Sequence, residues 1–276
     1  MKVFKNISFA IVALFCVVAL FRFTKVKPDD NAVCLNPKLE CAVHKHVIKP
    51  FVDTASIVSA VAQRIKQEKE DEFLTQFAGR RLWGIDISKY QTNINWSLMV
   101  KKNKPDFVFV KATEGTTIVD KMYRSHKRNL EKYNVLHGAY HFMSFSSSGR
   151  SQALKFIRHA RLKKGNMVPV LDVEYTRRRM PNKYKVRREI RSFCRTIEKY
   201  YGVKPIIYTH PHLYSNYLKG HFNSNPLWIC DYRRRPRHNW VIWQHTSKAR
   251  IYGYRGRLDK NVMKSDRATL KKLIML

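Results

Sequence analysis

The 276 residues are enough for one large domain, an eight-stranded α/β barrel included. A hydrophobic share of 44% with 12% aromatics supplies a sizeable core and excludes intrinsic disorder over most of the length. With 54 Lys+Arg against 20 Asp+Glu the formal net charge is +34, which favours polyanionic surroundings: acidic wall polymers, anionic lipid or nucleic acid.

In chain order the first signal is an apolar run from Ile7 to Phe21, interrupted only by Ser8, preceded by Lys2 and Lys5 and closed by Arg22. Residues 1–23 are therefore expected to enter a membrane, as an uncleaved anchor or as a cleaved signal. Cleavage after Val17 and Ala19 would leave Leu20, Phe21 and Phe23 at a mature end, a poor site that favours the anchor. The expected location is a membrane, with the rest of the chain outside it, and secretion is the outcome of cleavage. Residues 24–80 follow as a stalk and spacer: a polar stretch, then a helical pattern from Val47 to about Phe77 in which Ile57, Val58, Val61 and Ile65 recur at helical spacing.

From residue 81 to 276 short β-rich runs alternate with helical stretches in the manner of βα units. Strands are predicted at Gly84–Ser88, Phe107–Ala112, His137–Phe142, Pro169–Glu174, Pro205–His210, Leu227–Tyr232, Trp240–Thr246 and Asp259–Met263. Helices are predicted at Trp96–Lys102, Tyr123–Tyr133, Ser151–Leu162 and Tyr184–Tyr201, each with an apolar stripe. The last three strand connections are too short for full crossover helices. The fold class is thus α/β, an irregular TIM-like (β/α) barrel with reduced helices in its last part, parallel in its first half and partly antiparallel later.

Among the five cysteines, none shows the spacing of a zinc site. Cys34 and Cys41 are a disulfide candidate, while Cys194 and Cys230 read as buried thiols. The basic clusters at Arg177–Arg179, Arg187/Arg188 and Arg233–Arg235 come without a nucleic-acid-binding motif, so nucleic acid is not expected as a partner. The oligomeric state has no signature in the sequence.

In a βα barrel reactive side chains gather at the carboxyl ends of the strands. Asp86 lies near the end of the first predicted strand, Asp172 and Glu174 close the fourth, and Asp259 opens the last. Alternation along a strand puts Asp172 and Glu174, two residues apart, on one face. Two carboxyl groups crowded into a partly dry mouth cannot both ionise easily, so one should keep its proton near neutral pH, as a glycosidase acid requires. The plainer alternative is a polar strand end facing solvent or an arginine.

Several segments decide between these. Gly84-Ile-Asp-Ile-Ser88 with Gln91 and Asn95-Trp96, Phe109-Val-Lys-Ala-Thr-Glu-Gly115, Gly138-Ala-Tyr-His-Phe142, Pro169-Val-Leu-Asp-Val-Glu174, Pro205-Ile-Ile-Tyr-Thr209, Leu227-Trp228, Trp243-Gln244 and Asp259-Lys-Asn261 stand in order and register. With them, the stretch from Gly84 to Met263 resembles the family 25 glycoside hydrolases, the lysozymes of bacteria, phages and fungi. The resemblance implies hydrolysis, without a cofactor, of the β-1,4 bond between N-acetylmuramic acid and N-acetylglucosamine in peptidoglycan glycan strands, with retention of configuration. Glu174 matches the family's general acid/base, Asp172 the neighbouring carboxylate, and Asp86 and Asp259 the remaining acids. The nucleophile is either the substrate's own 2-acetamido group, oriented by Asp172, or Asp172 itself; the resemblance favours the first. Met263 and Ser265 replace a usual aromatic and glycine, His245 a usual tyrosine, and Asp231 a usually neutral or basic residue, departures that bear on substrate preference.

Tyr140, Tyr208 and Trp243 are candidates for substrate binding, since flat rings suit the apolar faces of sugars; core packing is their alternative. His141 should point away from the face that carries Tyr140. Glu114 is expected in a loop salt bridge rather than in the site. A barrel that binds wall glycan without cutting it, and a cationic chain acting by charge alone, are the competing readings.

Overall fold

Apolar strands that alternate their side chains between two faces can close into a ring, one face filling the interior and the other receiving helices. The computed structural model describes residues 54–175 and 180–276. The N-terminal apolar run, the Cys34/Cys41 pair and Arg177–Arg179 lie outside these residues. Contacts divide the chain into Met1–Ser59 and Ala60–Leu276, and the barrel belongs to the second unit.

Helix α1 (Thr54–Thr75) leads into β1 (Leu82–Ile87), α2 (Trp96–Asn103), β2 (Phe107–Glu114), β3 (Ile118–Val119), α3 (Tyr123–Lys132), β4 (Leu136–Phe142) and α4 (Gly149–Ala160). Then come β5 (Val170–Asp172), α5 (Lys183–Tyr201), β6 (Ile206–Thr209), β7 (Leu227–Cys230), β8 (Ile242–Ile251), β9 (Tyr254–Met263) and α6 (Arg267–Leu273). The nine strands form one sheet in the order β1-β9-β8-β7-β6-β5-β4-β2-β3, and a further β1–β2 pairing closes it into a barrel with β3 as a flap on β2. All four helices predicted within the barrel region are present to within two or three residues of the expected ends.

The parallel part is longer than expected. Apart from the short β3 flap, which lies antiparallel on β2, every neighbour pair from β1 through β8 runs parallel, and among the barrel strands β9 is the one reversed, pairing antiparallel with β8 and β1. The β6–β7 connection crosses over on two short helical pieces, Pro211–Leu213 and Tyr214–Leu218, and β7–β8 crosses with no helix. Short connections therefore removed helices without reversing strands. Strands β8 and β9 also extend past the barrel rim as a hairpin from Ile242 to Met263.

Rings fill the barrel interior. Phe107 and Phe109 stack edge-on at 5.9 Å, Phe109 meets Trp228 at 4.9 Å, and Trp228 meets Tyr208 at 5.0 Å. This packing explains two motif glycines: a Cβ on Gly84 would strike the Phe107 backbone and ring, and one on Gly138 the Phe109 ring. Outside, helix ends are capped by short polar side chains, with Asn95, Ser148, Asn182 and Asp266 each accepting a backbone N–H of the first turn. The predicted spacer helix exists, and its Ile57, Val58, Val61 and Ile65 are exposed, but Leu74 and Phe77 at its end are buried in the barrel core. The core thus reaches back into the segment read as spacer. Among the described residues no helix is long and apolar enough to cross a membrane.

Candidate active site

The carboxyl ends of the strands surround a cavity of about 410 Å³ whose wall includes Asp86, Asp172, Glu174 and Asp259. All four acids singled out in the sequence meet there. Asp86 and Asp259 are register partners across β1 and β9, so the reversal of β9 is what delivers Asp259 to the same rim. Strand β5 ends at Asp172, two residues earlier than predicted, yet the backbone remains held: Val173 N–H donates to Tyr208 O at 2.9 Å and Met143 N–H to Asp172 O at 2.9 Å. Alternation therefore persists to Glu174, whose side chain is 31% exposed while Asp172 is buried at 7%. One carboxyl group is reachable and its neighbour is dry.

Asp86 sits in a rigid polar frame. Its Oδ2 accepts from Gln244 Nε2 at 2.9 Å and Asn261 Nδ2 at 2.7 Å. Asn261 Oδ1 in turn accepts from Trp228 Nε1 at 2.9 Å, and Gln244 Oε1 from the hydroxyls of Tyr208 and Tyr232, both at 2.9 Å. The Tyr232 hydroxyl also lies 3.3 Å from Asp259 Oδ1. Each amide orientation is fixed by the donor behind it, so the frame has one arrangement.

The electrostatics follow from crowding acids into a dry mouth. Burial, then the nearby Asp259 charge, pushes Asp86 up to about 7 against the hydrogen bonds from Asn261 and Gln244. Burial, then Glu174, drives Asp172 well above the usual carboxylate range, with the Lys111 ammonium opposing. Asp259 is raised chiefly by burial, and the Tyr232 hydroxyl counteracts it. Asp172 Oδ1 is buried and accepts no hydrogen bond from the described residues, an acceptor aimed at a missing donor.

Tyr140 and Tyr208 line the cavity, the Tyr208 hydroxyl donating to Gln244. Trp243 does not. Its ring lies outside the cavity wall, packed near Trp240 at 6.1 Å with Nε1–H donating to Asp231 O at 2.8 Å, because on β8 the inward positions are Ile242 and Gln244. His141 points away from Tyr140, between Thr113 and Gln152 and stacked on Phe193 at 5.1 Å, and burial lowers it to about 4, so it is a neutral core residue. Glu114 pairs with Lys111 at 2.7 Å. Cys194 and Cys230 are buried free thiols.

Sequence reasoning missed Gln244, Asn261, Tyr232 and His210. The signal was available for the last two: each stands two residues past an inward strand residue, Cys230 and Tyr208, as Glu174 stands past Asp172.

Paired carboxyl groups at the carboxyl end of a β/α barrel, one partly open and one buried, are the arrangement on which glycosidases work. The sequence model of "Glycosyl hydrolases family 25" matches residues 85–254. The protein YegX of Escherichia coli K12 is 34% identical over 193 residues, covering 67% of this chain and 70% of that one. Lysozyme M1 of Streptomyces globisporus is 27% identical over 205 residues, 68% of this chain and 69% of that one. The solved structure of a family 25 glycosyl hydrolase from Bacillus anthracis superposes with a TM-score of 0.64 at 32% identity, over 69% of this chain and 92% of that one. The chain belongs to glycosyl hydrolases family 25 and is a glycoside hydrolase.

Proposed function

We propose that the enzyme is a muramidase that hydrolyses the β-1,4 bond between N-acetylmuramic acid and N-acetylglucosamine in peptidoglycan, with Glu174 as acid/base and retention of configuration. The observation that carries this reading is the placement of Asp172 and Glu174 on one face of the same strand end, with opposite exposures. Likeness to a protein named Lysozyme M1 supports the substrate.

Glu174 protonates the leaving glycosidic oxygen and then takes a proton from the attacking water. The nucleophile is the substrate's 2-acetamido oxygen. Its N–H is the donor that the unpartnered Asp172 Oδ1 lacks, and a hydrogen bond there both turns the carbonyl oxygen toward the anomeric carbon and stabilises the charge that develops on the ring it forms. Asp86 and Asp259 supply further negative potential for the oxocarbenium-like transition state. The cationic surface, with the apolar N-terminal segment as a membrane tether, keeps the enzyme at the wall side of the inner membrane.

The test measures release of reducing ends from purified peptidoglycan by the full chain. Glu174→Gln should lower turnover by about 10²–10⁴-fold while leaving the circular dichroism spectrum and melting temperature intact; unchanged turnover refutes the assigned acid. De-N-acetylated glycan should be cut poorly by the parent, and equal cutting would make Asp172 the direct nucleophile.

A further inference from the structure

His210 follows the last residue of β6 and precedes Pro211, which keeps its backbone extended at φ −93°, ψ 155°. Alternation from Tyr208 therefore continues for one more step, and the imidazole joins the cavity wall instead of turning outward. There its Nε2 lies 3.6 Å from Glu174 Oε1, with both side chains about a third exposed. The buried Cys230 thiol at the end of β7 is a further neighbour of the ring and raises its pKa. The groups facing the imidazole are thus Glu174 and Asp172 from the β5 end, Cys230 from β7 and the Tyr208 ring, 6.0 Å away, from β6. Beyond burial, Cys230 also raises the pKa of the Tyr232 hydroxyl.

An acid/base residue beside a single imidazole does not hold its proton alone. We propose that His210 and Glu174 share one exchangeable proton across their contact, and that His210 is the positioning residue that keeps this proton available to Glu174 at alkaline pH. In the resting pair the proton lies on His210 Nε2 or on Glu174 Oε1. Glu174 gives it to the glycosidic oxygen as the C–O bond breaks, which leaves a neutral imidazole beside a carboxylate. When water attacks in the second step, Glu174 takes the water's proton and the pair again holds one, so protons balance over the cycle. The neighbouring Cys230 and then the Glu174 carboxyl raise the imidazole to about 10, against the burial that lowers it, consistent with a reservoir that empties late.

The inference rests on Glu174 being the acid/base. His210→Gln should lose two- to threefold in turnover near pH 5 and more than tenfold at pH 9, its alkaline half-maximum falling by about one pH unit. A merely electrostatic neighbour gives the opposite sign, because removing a cation beside a carboxylic acid raises the acid's pKa and carries the alkaline limb upward; an upward or absent shift overturns the proposal. Should His210→Gln not fold, the imidazole Cε1–H resonance of His210 in the parent decides. Its titration midpoint should stand well above the ordinary value of about 6.5 and drop in Glu174→Gln, and an ordinary midpoint in the parent overturns the proposal equally. If Glu174→Gln still turns over, the acid assignment fails; if it is inactive and the His210→Gln profile does not move down, this inference alone fails.

Discussion

Asp86 shows at the scale of one residue how the site sets function against stability. Its carboxyl is raised from 3.8 to about 7, mainly by burial and then by Asp259. An acid with a folded pKa above its unfolded one favours the folded state while protonated. That contribution is complete below about 3.8, declines as pH rises toward about 7, and leaves a buried charge that opposes folding beyond it. Asp86→Asn keeps an oxygen to accept from Gln244 and Asn261 and removes the charge. We expect its melting temperature to equal the parent's at pH 4 and to exceed it at pH 8, with reduced turnover; no gain at pH 8 would show that the frame already neutralises the carboxylate. The acids were legible in the sequence because carboxylates at strand ends have few structural uses. Trp243 misled because an aromatic next to an amide gives no clue to which of the two faces inward; only the register of β8 against β9 decides, and there Gln244 pairs with Asn261.

Among elements, β5 and α1 carry the lessons. Strand β5 is only Val170–Asp172, but the parallel bond from Val173 to Tyr208 O extends the pleat to Glu174, so a period-two reading of the sequence put Glu174 at the same cavity as Asp172 although it overran the strand. Helix α1 was legible from its apolar repeat, yet that repeat is its exposed part; the residues that attach it to the core are Leu74 and Phe77. Periodicity reports a helix and not its partner, which is why the core boundary lay further back than the change of texture at residue 81. Leu74→Ala should cost about 2–5 kcal/mol in denaturant unfolding, whereas Val61→Ala on the exposed stripe should change stability by no more than about 0.5 kcal/mol. Equal effects would mean that α1 is not part of the folded barrel.

For the whole molecule, the direction of the last strands was hardest to read. Loop lengths argue against full crossover helices after β6, but a parallel connection without one leaves almost no trace in the sequence, and the barrel keeps its parallel order through β8. Only β9 reverses, and that reversal completes the ring of acids by setting Asp259 opposite Asp86. The net charge of +34 draws such a barrel to anionic surfaces, but it does not choose the bond that is cut. That choice is tested most directly by mass spectrometry of borohydride-reduced products from purified peptidoglycan digested with the full chain. We expect disaccharide fragments whose reduced end is N-acetylmuramitol; fragments ending in reduced N-acetylglucosamine, or in an anhydromuramic end that resists reduction, would contradict the assignment of a hydrolytic muramidase.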